Sequence, residues 1–254
     1  MEDMYRADAL FRDLLKRVFV GLTERMIYDI LRPMTNGHFW RVMNKDEKYS
    51  RIVAAAEKVF FHNGYEQSSM DQVAQEAGVA KGTIYLYFQS KQELYYAIGV
   101  RALGTLLKSF QALFASCQSG LQKVVAFGKA FAQYRKTYPD YYKFIVNYQG
   151  ERYDEMNEHG EIHRTYQESR ELFQVLVNAV TEGQRDGSIG VETAPALLAA
   201  ILWCQTCGVV QLVALREQFF KLFAPYDADE MLQAYFTLTE KVLEREIKIE
   251  GIHS

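Results

Sequence analysis

The stretch from Ser69 to Phe88 constrains the fold more tightly than any other part of this chain. Ser69 precedes Gln72 by three residues, the spacing at which a hydroxyl and a side-chain amide satisfy the free amides that open a helix. Ala74 is small where two helices must cross closely. Gly78 supplies a turn at positive φ, after which Val79 and Ile84 can pack back on Val73. The pattern predicts two short helices locked at a steep angle, a helix-turn-helix. Ser90 and Glu93 repeat the capping spacing, which places Lys91 in the first turn of a third helix, beside amides that favour an anion.

Upstream, Ile52, Ala56, Val59 and Phe60 recur at helical spacing from Lys48, and Gly64 closes that run. Three helices then share one small core. The segment from Asp46 to about Ala97 resembles the DNA-binding domain of TetR-family transcriptional regulators. The matching words are Ile52 to Ala56, Phe60 to Tyr65, Met70 to Ala74, Ala77 to Tyr85, Tyr87-Phe88 and Lys91 to Leu94. They cover about a fifth of the chain. Carried over residue by residue, the resemblance implies that Ser69 caps the scaffold helix near a phosphate and that Lys81, Gly82, Thr83 and Tyr85 face the major groove. Tyr87 and Lys91 would then grip the backbone. Gly82 has no side chain with which to read a base, so close backbone approach is its expected use.

The residues allow a plainer reading, in which Tyr85 and Tyr87 are core aromatics. Against it, Ile84, Leu86 and Phe88 already supply an apolar side, and the two tyrosines alternate with them beside Lys81 and Lys91. The acids and bases of residues 44–97 nearly balance, so the segment is not globally basic. Between Glu76 and Glu93 there is no acid, while Lys81 and Lys91 both fall there, so the expected contact face is locally positive. So few phosphate contacts per subunit imply a homodimer.

With 254 residues, the chain has room for a small and a larger domain, each with its own core, and 49% hydrophobic residues exclude disorder as the main state. Three cysteines argue against a disulfide framework and for a reducing compartment. The acidic start Met1-Glu2-Asp3 is unlike a secretion signal. No apolar run is expected to approach the ~20 residues of a membrane span. The expected location is cytoplasmic, with no membrane partner. Residues 1–42 fall outside the family pattern. Phe11, Leu15, Val18, Leu22 and Met26 make an apolar stripe there, consistent with an amphipathic arm, and a true start near Met43 is the alternative.

The expected organisation is therefore all-α: the extension 1–42, a three-helix helix-turn-helix DNA-binding domain at 44–97 (motif 69–88), and a larger helical bundle at 98–254. Turn signals punctuate the bundle at Ser119-Gly120, Pro139, Gly150, Gly160, Gly187 to Gly190 and Pro225. Thr193, followed by Pro195, is expected to cap a long apolar helix, and Asp227 with Glu230 the last one. The family resemblance implies an effector pocket for a mostly apolar small molecule. Its candidate lining is Phe127, Phe131, Tyr134, Tyr141, Phe144, Tyr148, Phe173 and Trp203, each of which equally suits a bundle core. Dimerisation is assigned to the last two helices through Leu198, Leu202, Val209, Val213, Leu232, Phe236 and Leu243.

Two further patterns are weaker. Trp203-Cys204-Gln205-Thr206-Cys207-Gly208 superficially resembles a thioredoxin-like active site. Apolar helix continues on both sides of it, and that chemistry needs its first cysteine at a helix N-terminus after a strand, so buried inert thiols are expected. His159 and His163 with Glu155 have metal-ligand spacing, but lie in a densely acidic stretch that suits a solvated face. No metal, cofactor or catalytic constellation is assigned, and no enzyme is expected. The expected partners are double-stranded operator DNA, a small-molecule effector and a second copy of the chain. The family prior favours a repressor.

Overall fold

The structure is a computed structural model and describes residues 38–148, 160–223 and 225–248, with side chains within 45–146, 160–223 and 225–247. The amphipathic stripe expected between Phe11 and Met26 lies outside the described residues, as do Glu155, His159 and the side chain of Tyr148. The described elements are α1 (His38–Asn63), α2 (Met70–Ala77), α3 (Lys81–Tyr85), α4 (Lys91–Phe114), α5 (Gly120–Thr137), α6 (Pro139–Tyr148), α7 (Gly160–Asp186), β1 (Val191–Glu192), α8 (Pro195–Phe220), α9 (Ala228–Leu243) and β2 (Ile247–Lys248). The fold is all-α. The one departure among the described residues is the two-residue parallel pair, Val191 with Ile247 and Glu192 with Lys248.

Two compact units divide the chain, one ending at Tyr87 and one beginning at Phe88, with Asn63–Tyr65 belonging to the second. Residues 88–97, expected within the first module, lie in the second unit because α4 runs unbroken from Lys91 to Phe114.

In the first unit, Ile52, Ala56, Phe60, Met70, Val73, Ala77 and Ile84 are all buried, so one small core joins α1, α2 and α3. Polar contacts fix the α1–α2 junction. Arg51 Nη2 donates to Ala77 O at 2.9 Å, capping the carbonyl end of α2, Ser68 Oγ donates to Val59 O at 3.3 Å, and Lys58 pairs with Glu76 at 2.9 Å. The capping box at Ser69 is present in both directions, with Gln72 Oε1 accepting from Ser69 N at 2.8 Å.

The second unit is a bundle in which α7 packs on α4, α5 and α8, while α9 packs on α5 and α8. Phe110, Phe127, Phe131, Leu106, Leu176 and Val180 lie at its centre. Two expected caps differ. Ser90 Oγ accepts from Glu93 N at 3.0 Å, but the Glu93 carboxylate takes the amide of Gln89, at 2.6 Å, rather than that of Ser90. The N-cap of α8 is Ala194 without a side-chain bond, while the carbonyl of Thr193 accepts from Gln184 Nε2 at 3.0 Å. Pro195, which has no N–H to satisfy, opens that helix without help. Asp227 caps α9 as expected, accepting from Glu230 N at 2.9 Å.

The expectation that no apolar run nears membrane-spanning length fails at α8. This helix has 26 residues with a mean hydropathy of 1.9 over its most apolar window, and no charge occurs between Pro195 and Leu215. A helix enclosed by neighbours in a bundle meets the same criteria. Leu198, Ala199, Leu202, Val210 and Val213 of α8 are buried against the bundle, and 33% of the most apolar window is buried in all.

Candidate functional site

The turn between α2 and α3 is a Schellman motif. Gly78 has φ 63°, its N–H donates to Gln75 O at 3.1 Å, and Val79 N donates to Ala74 O at 3.0 Å. The left-handed residue stops α2 and aims the chain into α3, whose own turn closes with Thr83 N donating to Ala80 O at 2.8 Å. Ile84 is fully buried and anchors the short helix. Lys81, Gly82 and Tyr85 face outward, with Tyr85 46% exposed, while Thr83 and Tyr87 are half-buried. Ser69 is exposed at the opening of α2.

Leu86 was assigned to the apolar side with Ile84 and Phe88, but it is 81% exposed. Alternation by two belongs to strands. Here the chain leaves α3 through a tight turn, with Tyr87 N donating to Ile84 O at 2.9 Å, and only Ile84 and Phe88, one helical turn apart, point inward. The outward surface of α3 is thus more apolar than expected. It is also less positive, because Lys81 Nζ donates to Asp71 Oδ2 at 2.7 Å. That bond raises the Lys81 ammonium above its ordinary pKa.

Lys91 belongs to the second unit. It sits in the first turn of α4, where its ammonium donates to Tyr65 O at 2.6 Å and lies 4.3 Å from the centre of the Tyr65 ring. Tyr65 in turn packs on Tyr95 at 4.7 Å. The lysine head is therefore held in place by a carbonyl and an aromatic face.

The candidate pocket residues of the bundle do not form one wall. Phe127, Phe131 and Trp203 do come together, with the Trp203 ring 5.6 Å from Phe127 and 5.2 Å from Phe131. Tyr134 is a core residue whose hydroxyl donates to Ala102 O at 2.8 Å. Phe144 lies elsewhere, packing on Tyr95 at 4.6 Å. Tyr141 stacks outward on the exposed Tyr138 at 6.0 Å, and Phe173 is partly buried at the edge of the core. The residues missed by sequence reasoning are Arg135 and Tyr142. Among the described residues, the buried Arg135 Nε and Tyr142 hydroxyl have no hydrogen-bond partner. The readable signal was an arginine one turn beyond Phe131 in an otherwise apolar stripe.

The candidate dimer residues need correction. Leu198, Leu202, Val213, Leu232, Phe236 and Leu243 are buried within the protomer, and Val209 is half-buried. They fill the chain's own core. Because α8 is apolar around most of its circumference, its sequence does not separate an inner side from an outer one. The exposed apolar residues of these helices are instead Leu212, Leu215 and Phe219 on α8 with Leu238 and Val242 on α9. Between the helices runs a cleft of about 460 Å³, bordered by Ile201, Gln205, Val209, Leu238 and Val242 among others.

Cys204 and Cys207 lie in the middle of α8, away from any helix N-terminus, and Cys204 is exposed rather than buried as expected. His163 sits on α7, with its Nε2 2.8 Å from Gln167 Nε2.

A Schellman-turned helix-turn-helix ahead of a helical bundle is the architecture of a DNA-binding regulator class, and the comparisons agree. Residues 52–98 match the family model described as bacterial regulatory proteins, tetR family. The fatty acid metabolism regulator protein of Bacillus subtilis is 39% identical over 67 residues, 26% of this chain and 34% of that protein. The HTH-type transcriptional activator FasR of Mycolicibacterium smegmatis is 31% identical over 100 residues, 39% of this chain and 46% of that protein. The matches thus span a third to a half of these relatives. The fold is shared with the transcriptional regulator FadR of Bacillus subtilis, solved in complex with stearoyl-CoA. That likeness has a TM-score of 0.57 at 19% identity, over 78% of this chain and 99% of that one. Over residues 52–98 the chain carries a module of the tetR family of bacterial regulatory proteins.

Proposed function

We propose that the chain is a ligand-responsive transcriptional regulator, binding a palindromic operator as a homodimer and releasing it when a small, mostly apolar effector enters the bundle. The observation that carries this reading is the outward surface of α3. A five-residue helix is held on its Schellman turn by Ile84, while Lys81, Gly82 and Tyr85 stay exposed. A surface-exposed tyrosine beside a lysine on a rigid short helix suits groove entry, with phosphate contacts setting position and α3 reading bases. Ser69, Thr83, Tyr87 and Lys91 complete the proposed DNA-contacting set.

Two recognition helices must meet major grooves about one helical turn, ~34 Å, apart. An effector that repacks the bundle of each subunit would change that separation and cost one half-site. The complex of the FadR neighbour with stearoyl-CoA supports an acyl thioester as the effector class. Repression follows the family prior.

Fluorescence anisotropy with the DNA upstream of the chain's own gene tests the reading. The expected result is salt-sensitive binding to a palindrome, preferred over unrelated duplex, and its loss on adding an acyl-CoA. Equal affinity for unrelated DNA would sink it. A reporter fused to the same upstream region reads the sign, since repression requires expression to rise when the gene is deleted.

A further inference from the structure

Two polar atoms in the bundle interior are unsatisfied in one neighbourhood. Tyr142 of α6 is 7% exposed, and among the described residues its hydroxyl has no hydrogen-bond partner, nor does the buried Arg135 Nε of α5. Buried donors are rarely left this way, because the loss of water is then uncompensated.

Both flank Phe131. The Tyr142 ring lies 5.4 Å from that of Phe131, and Arg135 follows Phe131 by one turn on the same side of α5. Trp203 lies against Phe131 from α8 at 5.2 Å, and Cys207 follows Trp203 by one turn. Burial pushes the Tyr142 phenol up to about 12; Cys207 adds to the shift and Arg135 opposes it. The phenol is thus an O–H donor at any working pH, and the guanidinium Nε–H can only donate. Two donors, one carried by a permanent cation, lie beside aromatic rings, and among the described residues neither Arg135 Nε nor Tyr142 Oη has an acceptor. Trp203 and Cys207 are half-buried, so the cluster reaches the surface along α8.

We propose that Arg135 Nε and Tyr142 Oη hold the acyl oxygen of an aliphatic acid or its thioester, with the chain lying against Phe131 and Trp203. This deepens the reading of the bundle as an effector site and rests on it. The shared chemistry is an electron-rich acyl oxygen at the end of an apolar body. A cationic donor favours it over a neutral hydroxyl.

The test uses the full chain carrying Trp40→Phe, so that Trp203 alone fluoresces, titrated with decanoate, decanoyl-CoA and decanol. An acyl ligand should change the emission saturably and bind at least about tenfold more tightly than decanol. Tyr142→Phe and Arg135→Gln should each weaken the acyl ligand roughly tenfold while leaving decanol unchanged. Tyr142→Phe removes an orphan hydroxyl, so its melting temperature should hold or rise, whereas a purely structural tyrosine would lower it. Preference for decanoate or for decanoyl-CoA identifies free acid or thioester as the source. Equal binding of decanol, unchanged acyl affinity in both variants, or no saturable signal from any of the three overturns the site. The same preparations are assayed on the upstream DNA. Retained DNA binding without a ligand response removes this site and leaves the regulator, whereas absence of DNA binding removes the regulator reading itself.

Discussion

Lys81 Nζ donates to Asp71 Oδ2 at 2.7 Å, so the foremost cation of α3 is paired with an acid in the first turn of α2. Both side chains are largely exposed, at 50% and 65%. The bond raises the lysine pKa, so the ammonium stays charged far above neutrality and its titration does not gate DNA binding. A phosphate or base edge must take Lys81 away from Asp71. Asp71→Asn should therefore tighten operator binding several-fold at low ionic strength, with the gain fading as salt rises. Anisotropy titrations across a salt series check it, and a gain that ignores salt would exclude an electrostatic origin.

Lys91→Ala should weaken operator binding with little change in preferred sequence, since a backbone contact positions without reading. The slope of log K against log salt should fall by about one per subunit, hence about two for a dimer. The ammonium is already oriented by Tyr65 O at 2.6 Å, so little side-chain freedom remains to be lost on binding. A switch in base preference at one position would show that Lys91 reads rather than positions.

Tyr85→Ala and Thr83→Val should impair operator binding while leaving the melting temperature nearly unchanged. Tyr85 is 46% exposed, and substitutions at such positions usually move stability by less than about 0.5 kcal/mol. Thr83 is half-buried, and the isosteric valine removes only its hydroxyl. Thermal denaturation beside anisotropy separates the two roles. Matching losses in both would make these residues structural.

The helix-turn-helix was legible because its signals are local. A capping pair at Ser69 and Gln72 and a left-handed Gly78 depend on neighbours a few residues away, and both appear as the spacing predicts. Leu86 departs from the sequence expectation because alternation by two does not apply there: its backbone stays helical, so Ile84 and Phe88, four apart, share the inward side and Leu86 faces out. The bundle was less legible. Its contacts are long-range, as with Tyr134 and Ala102, and aromatic content does not reveal which rings share a wall. Arg135 and Tyr142 escaped notice because an unsatisfied donor is defined by missing partners, which only packing determines.

Gly128 marks a close helix crossing that sequence spacing did not single out. A Cβ there would lie 2.7 Å from Phe236 Cε1, where α5 meets α9. Gly128→Ala should cost about 1–3 kcal/mol of stability by overpacking, despite its better helix propensity. Urea denaturation measures it, and a stabilised variant would mean that the Phe236 ring yields freely.

The placement of the dimer interface can be tested with a pair of arginine substitutions on one helix. Phe236 is 5% exposed and fills the protomer core, so Phe236→Arg would disrupt the chain itself and report nothing about pairing. Leu238, two residues on, is 66% exposed and borders the cleft between α8 and α9. In a monomer, Leu238→Arg should change stability by less than about 0.5 kcal/mol. If the outer sides of α8 and α9 pair with their symmetry mates in a four-helix interface, the same arginine is buried at the contact in both subunits. An uncompensated buried charge costs several kcal/mol, on the order of a broken buried pair at about 3–5 kcal/mol, enough to shift the equilibrium to monomer. Sedimentation should then show a folded monomer with an unchanged melting profile at low concentration. Operator affinity should collapse, because each subunit alone offers few phosphate contacts. A Leu238→Arg protein that still sediments as a dimer and binds its operator would move the interface away from this side of the bundle.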